Sequence, residues 1–246
     1  MKPIYKPKGK ALEYSPDALA LNIYTGCPHS CTYCFAPSVL RKSREEFHSH
    51  VEPRKSIIEA TAKQIEREGI TGKLIHLSFV CDPYPVGYDT TVTREIIKLI
   101  KGSGNHVQIL TKGSEIAARD HDLLDSNDWF GVTYTGGLDD VGYQDDCEPY
   151  ASDNYDRMTT LALAKYCRIK TWVSCEPVID ETGIYNSIKC YDFIDLYRIG
   201  KMNYHPSDIN WGEFGHKCVE LCKKHRRNYY IKDDLRKEME NHEGKG

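Results

Sequence analysis

Three cysteines, Cys27, Cys31 and Cys34, fall within eight consecutive positions of NIYTGCPHSCTYCFAPS, residues 22–38. Thiolates are ligands for zinc and for iron–sulfur clusters. A structural zinc ion takes four closed ligands, usually from two well-separated CxxC-like pairs, and no second such pair follows here. His29 is the nearest extra donor, but it sits inside the loop between Cys27 and Cys31, where its ring competes for space with the ligands. Cys218 and Cys222 have the i,i+4 spacing of one helix face, yet WGEFGHKCVELCKKH also reads as an amphipathic helix, and core packing is the expected role. Three close cysteines also suit a [4Fe–4S] cluster with one iron lacking a protein ligand, a Lewis-acidic position where a small molecule can chelate. Catalysis needs such an opening; a structural site avoids it.

These residues must be positioned by a chain of 246 residues, 40% of them hydrophobic, which suits one domain of α/β-barrel size. A net charge of −3 exerts no global pull towards nucleic acid or anionic lipid. The start, MKPIYKPKGKALEY, is basic but has no apolar stretch, so it does not read as a signal peptide. No apolar run approaches the length needed to span a bilayer. A cytoplasmic protein with no membrane partner is expected, and there ten cysteines argue for metal or thiol chemistry rather than a disulfide framework. Isolated ones such as Cys167 are expected to be small buried groups.

Short apolar runs alternate with helical stretches. The strands are expected at 21–24, 74–80, 107–110, 130–133, 171–174, 193–199 and 228–231. Helices are expected over 56–69, 93–104 and 154–166, and over 208–225 despite two glycines there. This alternation predicts βα units in a parallel sheet: an α/β fold, a single-domain partial (β/α)6 TIM-type barrel. Its core covers about residues 20–200, and a helix–strand–helix extension covers about 201–246. Polar or reactive residues follow strand after strand: the cysteine loop, then Cys81 to Tyr84, Thr111 and Lys112, Thr133 and Thr135, Ser174 to Glu176, and Lys201 with Asn203. In a (β/α) barrel these carboxyl ends share one face, where active sites lie.

Cys27-x3-Cys31-x2-Cys34, with Tyr33 before the last cysteine and at the end of a first strand, resembles the signature of radical S-adenosylmethionine (radical SAM) enzymes. The resemblance implies that these cysteines ligate three irons of a [4Fe–4S] cluster while SAM chelates the fourth. An electron from the cluster then cleaves SAM to a 5′-deoxyadenosyl radical that abstracts hydrogen from substrate. It also implies an external electron donor, flavodoxin- or ferredoxin-like, and places Tyr33 and Phe35 beside the adenine.

LSFVCDPYPVGYDTTVTREII, residues 77–97, is similar to the corresponding stretch of spore photoproduct lyase and its DNA-repair-photolyase-like group. Cys81 is followed after three residues by Pro85-Val86-Gly87, as in that lyase, where the matching cysteine quenches a product radical by giving up hydrogen; packing at a strand end is the other reading of Cys81. Asp82 could hold the SAM ammonium through a charge-assisted hydrogen bond, or cap the following turn. Lys112 resembles the family lysine that contacts SAM, and Thr133 the hydroxyl residue that faces it. CEPYASDNYDRM points by resemblance to Glu148 and Arg157. Glu176 could bind SAM or substrate, or be a loop charge; Cys175 beside it suits packing equally. His205 and Asp208 have at most substrate contact.

The resemblance covers roughly residues 20–180. Beyond them the lyase's DNA-binding hairpin is not found. Lys223, Lys224, Arg226 and Arg227 with Tyr229 and Tyr230 could bind phosphates and stack bases; a solvated helix end is the expected reading. By resemblance alone the substrate is a nucleic acid or nucleotide. A peptide or small metabolite is the runner-up, and a non-catalytic zinc- and nucleic-acid-binding module is the rival from another class.

Overall fold

The computed structural model describes residues 2–14, 17–137, 146–203 and 205–244. Its single sheet runs in sequence order through β1 (Ile4–Tyr5), β2 (Leu19–Leu21), β3 (Leu74–Leu77), β4 (His106–Thr111), β5 (Trp129–Thr133), β6 (Lys170–Cys175), β7 (Leu196–Ile199) and β8 (Tyr229–Ile231). Each pair from β2 to β8 is parallel, and β1 lies antiparallel to β2. The sheet is open, so the architecture is the expected partial barrel. The C-terminal helix–strand–helix continues it, because β8 pairs with β7. Among the described residues no helix is long and apolar enough to cross a membrane.

Period-two alternation divides each strand between two environments. Ile75, Leu77, Val107, Ile109, Phe130, Val132, Val173, Tyr197 and Ile199 are fully buried in the apolar core. The alternate positions carry a polar and aromatic set facing the lumen. His76, Phe79 and Trp172 surround the ring of Tyr14, all with centroids 5.7–5.9 Å from it, and Arg198 lies over Trp172. Tyr14 comes from the N-terminal segment Gly9–Tyr14, which is fixed in place by Gln108 donating to the Tyr14 carbonyl and Arg198 to that of Glu13. Neither β1 nor this segment carries a pattern that predicted it.

Gly131 is the spacer of the lumen. A Cβ there would overlap the indole of Trp172, which instead lies across β5 and donates Nε1–H to the Ile109 carbonyl of β4 at 3.0 Å. Gly131→Ala must displace that ring or the strand. We expect a loss of about 1–3 kcal/mol from overpacking, read as a drop in Tm of roughly 2–4 °C per kcal/mol. An unchanged Tm would mean that the ring has an alternative seat.

Strand ends differ from the periodicity in instructive ways. The first parallel strand is Leu19–Leu21 rather than 21–24, because the chain then leaves the sheet: Arg54 N–H donates to the Ile23 carbonyl and Tyr24 bridges to Pro53. The second stops at Leu77 because the amides of Phe79 and Val80 are taken by the Asn22 side chain, at 2.8 and 3.2 Å. The sixth begins at Leu196, since Asp195 turns its carboxylate onto the Thr171 amide. The helix Trp211–Lys224 forms despite Gly212 and Gly215, which are the points where the helix Asp233–Glu243 approaches: side chains there would meet His242 and Met239. Its buried Cys218 and Cys222 pack into the core beside Cys175, as the amphipathic reading expected.

Candidate active site

The cysteine loop follows β2 and is held from outside by its own continuation. Cys27 N–H donates to Phe47 O, and Thr25 N–H to Glu52 O. This close approach requires Gly26, since a Cβ there would overlap the carbonyls of Phe47 and His50. The helix Arg44–Ser49 then returns two side chains to the ligand residues. Arg44 donates to the carbonyls of Cys31 (2.6 Å) and Cys34 (3.4 Å), and His48 Nδ1 meets the Cys27 carbonyl at 2.8 Å. Sequence reasoning missed both residues, because RKSREEFHSH carries no signal that distinguishes them from any polar helix.

All three thiols are free. Burial raises each: Cys31 to about 11, Cys27 well above its ordinary range, and Cys34 in the same direction. A bound cation would reverse that preference, as metal ligation requires the thiolate. His29 does not supply a fourth ligand. It is almost fully buried, its Nε2 accepts from the Val86 amide at 3.1 Å, and its Nδ1 faces Asp82 at 3.6 Å. Burial lowers its pKa to about 4, so it is a neutral ring with both nitrogens directed at protein. Among the described residues, the three-residue group whose ligand atoms all lie within 4.8 Å of one another is His106, Asp125 and Asp128, already bridged by Lys101. Three thiols on one loop, with His29 directed at protein, suit a metal group held by three protein ligands.

Behind the loop lies a charged cluster from three further strand ends. Asp82, after β3, is engaged through both oxygens: Oδ1 accepts from the Tyr84 amide (2.8 Å) and the Thr111 hydroxyl (2.6 Å), and Oδ2 from the Lys112 amide (2.8 Å). It thus caps its own turn and ties β3 to β4, which orients Lys112. The Lys112 ammonium stands 3.9 Å from Glu148 and 5.6 Å from the centre of the Tyr33 ring. Glu148 accepts from the Tyr33 hydroxyl and pairs with Arg157 at 2.6 Å, both members of the pair being buried. Burial opposes ionisation of Glu148, but Arg157 and Lys112 outweigh it and hold the carboxyl below its usual value. Arg157 also donates to the carbonyl of Thr133, which closes the ring of contacts onto β5.

The structure thus brings together the cysteine loop, Tyr33, Asp82, Lys112, Thr133, Glu148 and Arg157. The other expected site residues stand apart from these contacts. Phe35 leaves half its surface open. Cys81 lies by Ser78 and the backbone of Ile23 and Tyr24, with its thiol pKa raised by burial. Glu176 is engaged by Lys232, the Tyr14 hydroxyl and Asn203, across the ends of β6 to β8. Gly200 makes room for that pair. Cys175 is fully buried and packs in the core. His205 and Asp208 are exposed. Arg227 of the basic run is spent on the carbonyls of Ile188 and Lys189, and Lys223 and Lys224 end a helix, in keeping with the solvated-end reading.

A family model identifies the family, and solved structures share the fold. The family model described as Radical SAM superfamily matches residues 21–179. An uncharacterized protein of Methanocaldococcus jannaschii is 29% identical over 207 residues, covering 79% of this chain and 75% of its own length. Among solved structures, a spore photoproduct lyase variant superposes with a TM-score of 0.66 at 13% identity, over 89% of this chain and 77% of that one. Streptococcus suis SuiB bound to its precursor peptide SuiA superposes with a TM-score of 0.60 at 12% identity, over 90% of this chain and 51% of that one.

Proposed function

This chain belongs to the radical SAM superfamily and is an enzyme of that kind, and on that premise we propose that Cys27, Cys31 and Cys34 hold a [4Fe–4S] cluster with one iron left for SAM. The observation that carries this reading is the ligand count: three thiols on one loop, with His29 turned away onto Val86 and Asp82. When bound, the cluster and SAM supply a 5′-deoxyadenosyl radical by one-electron cleavage of the sulfonium.

The chain's own residues prepare that chemistry. Lys112 offers an ammonium to the carboxylate of SAM, a charge-assisted contact, and Asp82 sets its direction by gripping the Lys112 amide. Glu148 fixes Tyr33 through the phenol, so the ring stands ready beside an adenine, with Thr133 on that side. Glu176 serves the half of the mouth formed by β6 to β8. Burial keeps Cys81 a neutral thiol, the form in which a weak S–H bond can return hydrogen to a product radical.

For the substrate we favour a nucleic acid or nucleotide, on the Cys81-x3-Pro85-Val86-Gly87 spacing and the likeness to spore photoproduct lyase. The second reading, a peptide substrate, rests on the likeness to SuiB. Anaerobic reconstitution is expected to load about four irons per chain and, with SAM and dithionite, to release 5′-deoxyadenosine. Deuterium carried from labelled DNA or labelled peptide into that product then identifies the substrate class. Recovery of one zinc and no iron would sink the reading in favour of a metal-binding module.

A further inference from the structure

The cysteine loop reaches solvent at one end. Cys31 is buried, whereas Phe35, directly after Cys34, is 50% exposed and Val39 62% exposed. The two are one turn apart at the short helix Ala36–Leu40, whose Ala36 and Pro37 face inward. That helix ends at Arg41 in the left-handed conformation, φ 55°, and Lys42 and Arg44 follow at once. From Cys27 to Arg44 the chain carries three fixed cations and no carboxylate, in a protein whose net charge is −3. Glu45 and Glu46 come next, and Lys42 shares its charge with Glu46 at 3.4 Å. Arg44 joins this surface to the ligands themselves through the carbonyls of Cys31 and Cys34. A second exposed apolar stripe among the described residues, Tyr155, Leu163 and Tyr166, lacks such a frame: Asp153 and Asp156 lie at the start of its helix, and Lys165 pairs with Asp195.

We propose that Phe35, Val39, Arg41, Lys42 and Arg44 form the docking surface for an acidic one-electron carrier protein that reduces the cysteine-bound cluster. This rests on the reading under Proposed function. An apolar centre with a charged rim is the anatomy of a protein interface. Transient redox complexes bury little area and rely on complementary charge for encounter. Here the cationic rim selects an anionic partner against the negative background of the whole chain. The carrier gives up one electron and is oxidised by one unit, the cluster is reduced by one unit, and no atom passes between the proteins.

The test uses the reconstituted full-length protein with flavodoxin hydroquinone as the carrier and dithionite as a small reductant that needs no docking. In Val39→Glu/Arg41→Glu, flavodoxin-driven formation of 5′-deoxyadenosine is expected to fall at least tenfold, with the dithionite-driven rate within twofold of the parent. The directly measured Kd for flavodoxin should rise at least tenfold, and parent binding should weaken steadily with added salt. Equal loss with both reductants, no change with either, or a parent protein that flavodoxin neither binds nor reduces would overturn the proposal. If dithionite itself yields no 5′-deoxyadenosine, the catalytic reading fails, and the binding measurement alone decides whether the surface docks the carrier.

Discussion

Cys31→Ala is expected to leave the protein folded while removing iron retention and 5′-deoxyadenosine release together. The loss in SAM cleavage should reach at least about 10³-fold, since members of a unit that acts together fail together. Cys27→Ala and Cys34→Ala should behave alike, because three ligands leave no spare and His29 is committed to Val86 and Asp82. A fourth protein ligand would soften the loss at one position, and a variant retaining the parent's iron and activity would disprove the assignment. The matched control is Cys218→Ala. That thiol is fully buried and packs beside Phe214 and Cys222 on an interior helix face. It should keep full iron and lose only about 1 kcal/mol to the small cavity. Iron content, the visible charge-transfer spectrum and Tm separate the two classes of cysteine without knowledge of the substrate.

Arg157→Met should be the most damaging substitution outside the cysteines. Both members of its pair with Glu148 are buried, so removing the cation strands a carboxylate away from water. Breaking such a pair costs about 3–5 kcal/mol, which for a chain of this size corresponds to a Tm lower by roughly 6–20 °C. Lys112, 3.9 Å from Glu148, cannot fully replace it without leaving the orientation that Asp82 imposes. Arg157→Met/Glu148→Leu should recover most of the stability, because the unpaired charge is gone. It should not recover SAM binding, because Tyr33 has lost the carboxylate that anchors its hydroxyl. A double-mutant cycle gives the coupling. A Tm for Arg157→Met within about 2 °C of the parent would show that the pair is not the keystone of this cluster.

The family was legible in the sequence because its signature is local. Three thiols at i, i+4 and i+7, with Tyr33 before the last, carry the resemblance that the family model over residues 21–179 bears out, and alternation of apolar runs with amphipathic stretches is enough to predict a parallel sheet with its loops at one mouth. Lys112 and Glu148 could also be singled out, by likeness to a known motif. Their mutual contact could not, since 36 positions of chain separate residues that meet only when β4 and the segment before the helix Asn154–Tyr166 converge.

Tertiary structure alone decided the division of labour. Asp82, read as a cofactor carboxylate or a turn cap, spends both oxygens on protein donors. His29, a possible zinc ligand by type, becomes a structural ring. Glu176 moves to a second polar centre with Lys232 and Tyr14, a partner more than 160 residues away in sequence. The physical reason is that hydrogen bonds and ion pairs are short-ranged. A side chain's role depends on which partners folding delivers within about 3 Å, whereas the sequence determines which groups are available and on which face of the sheet they will stand.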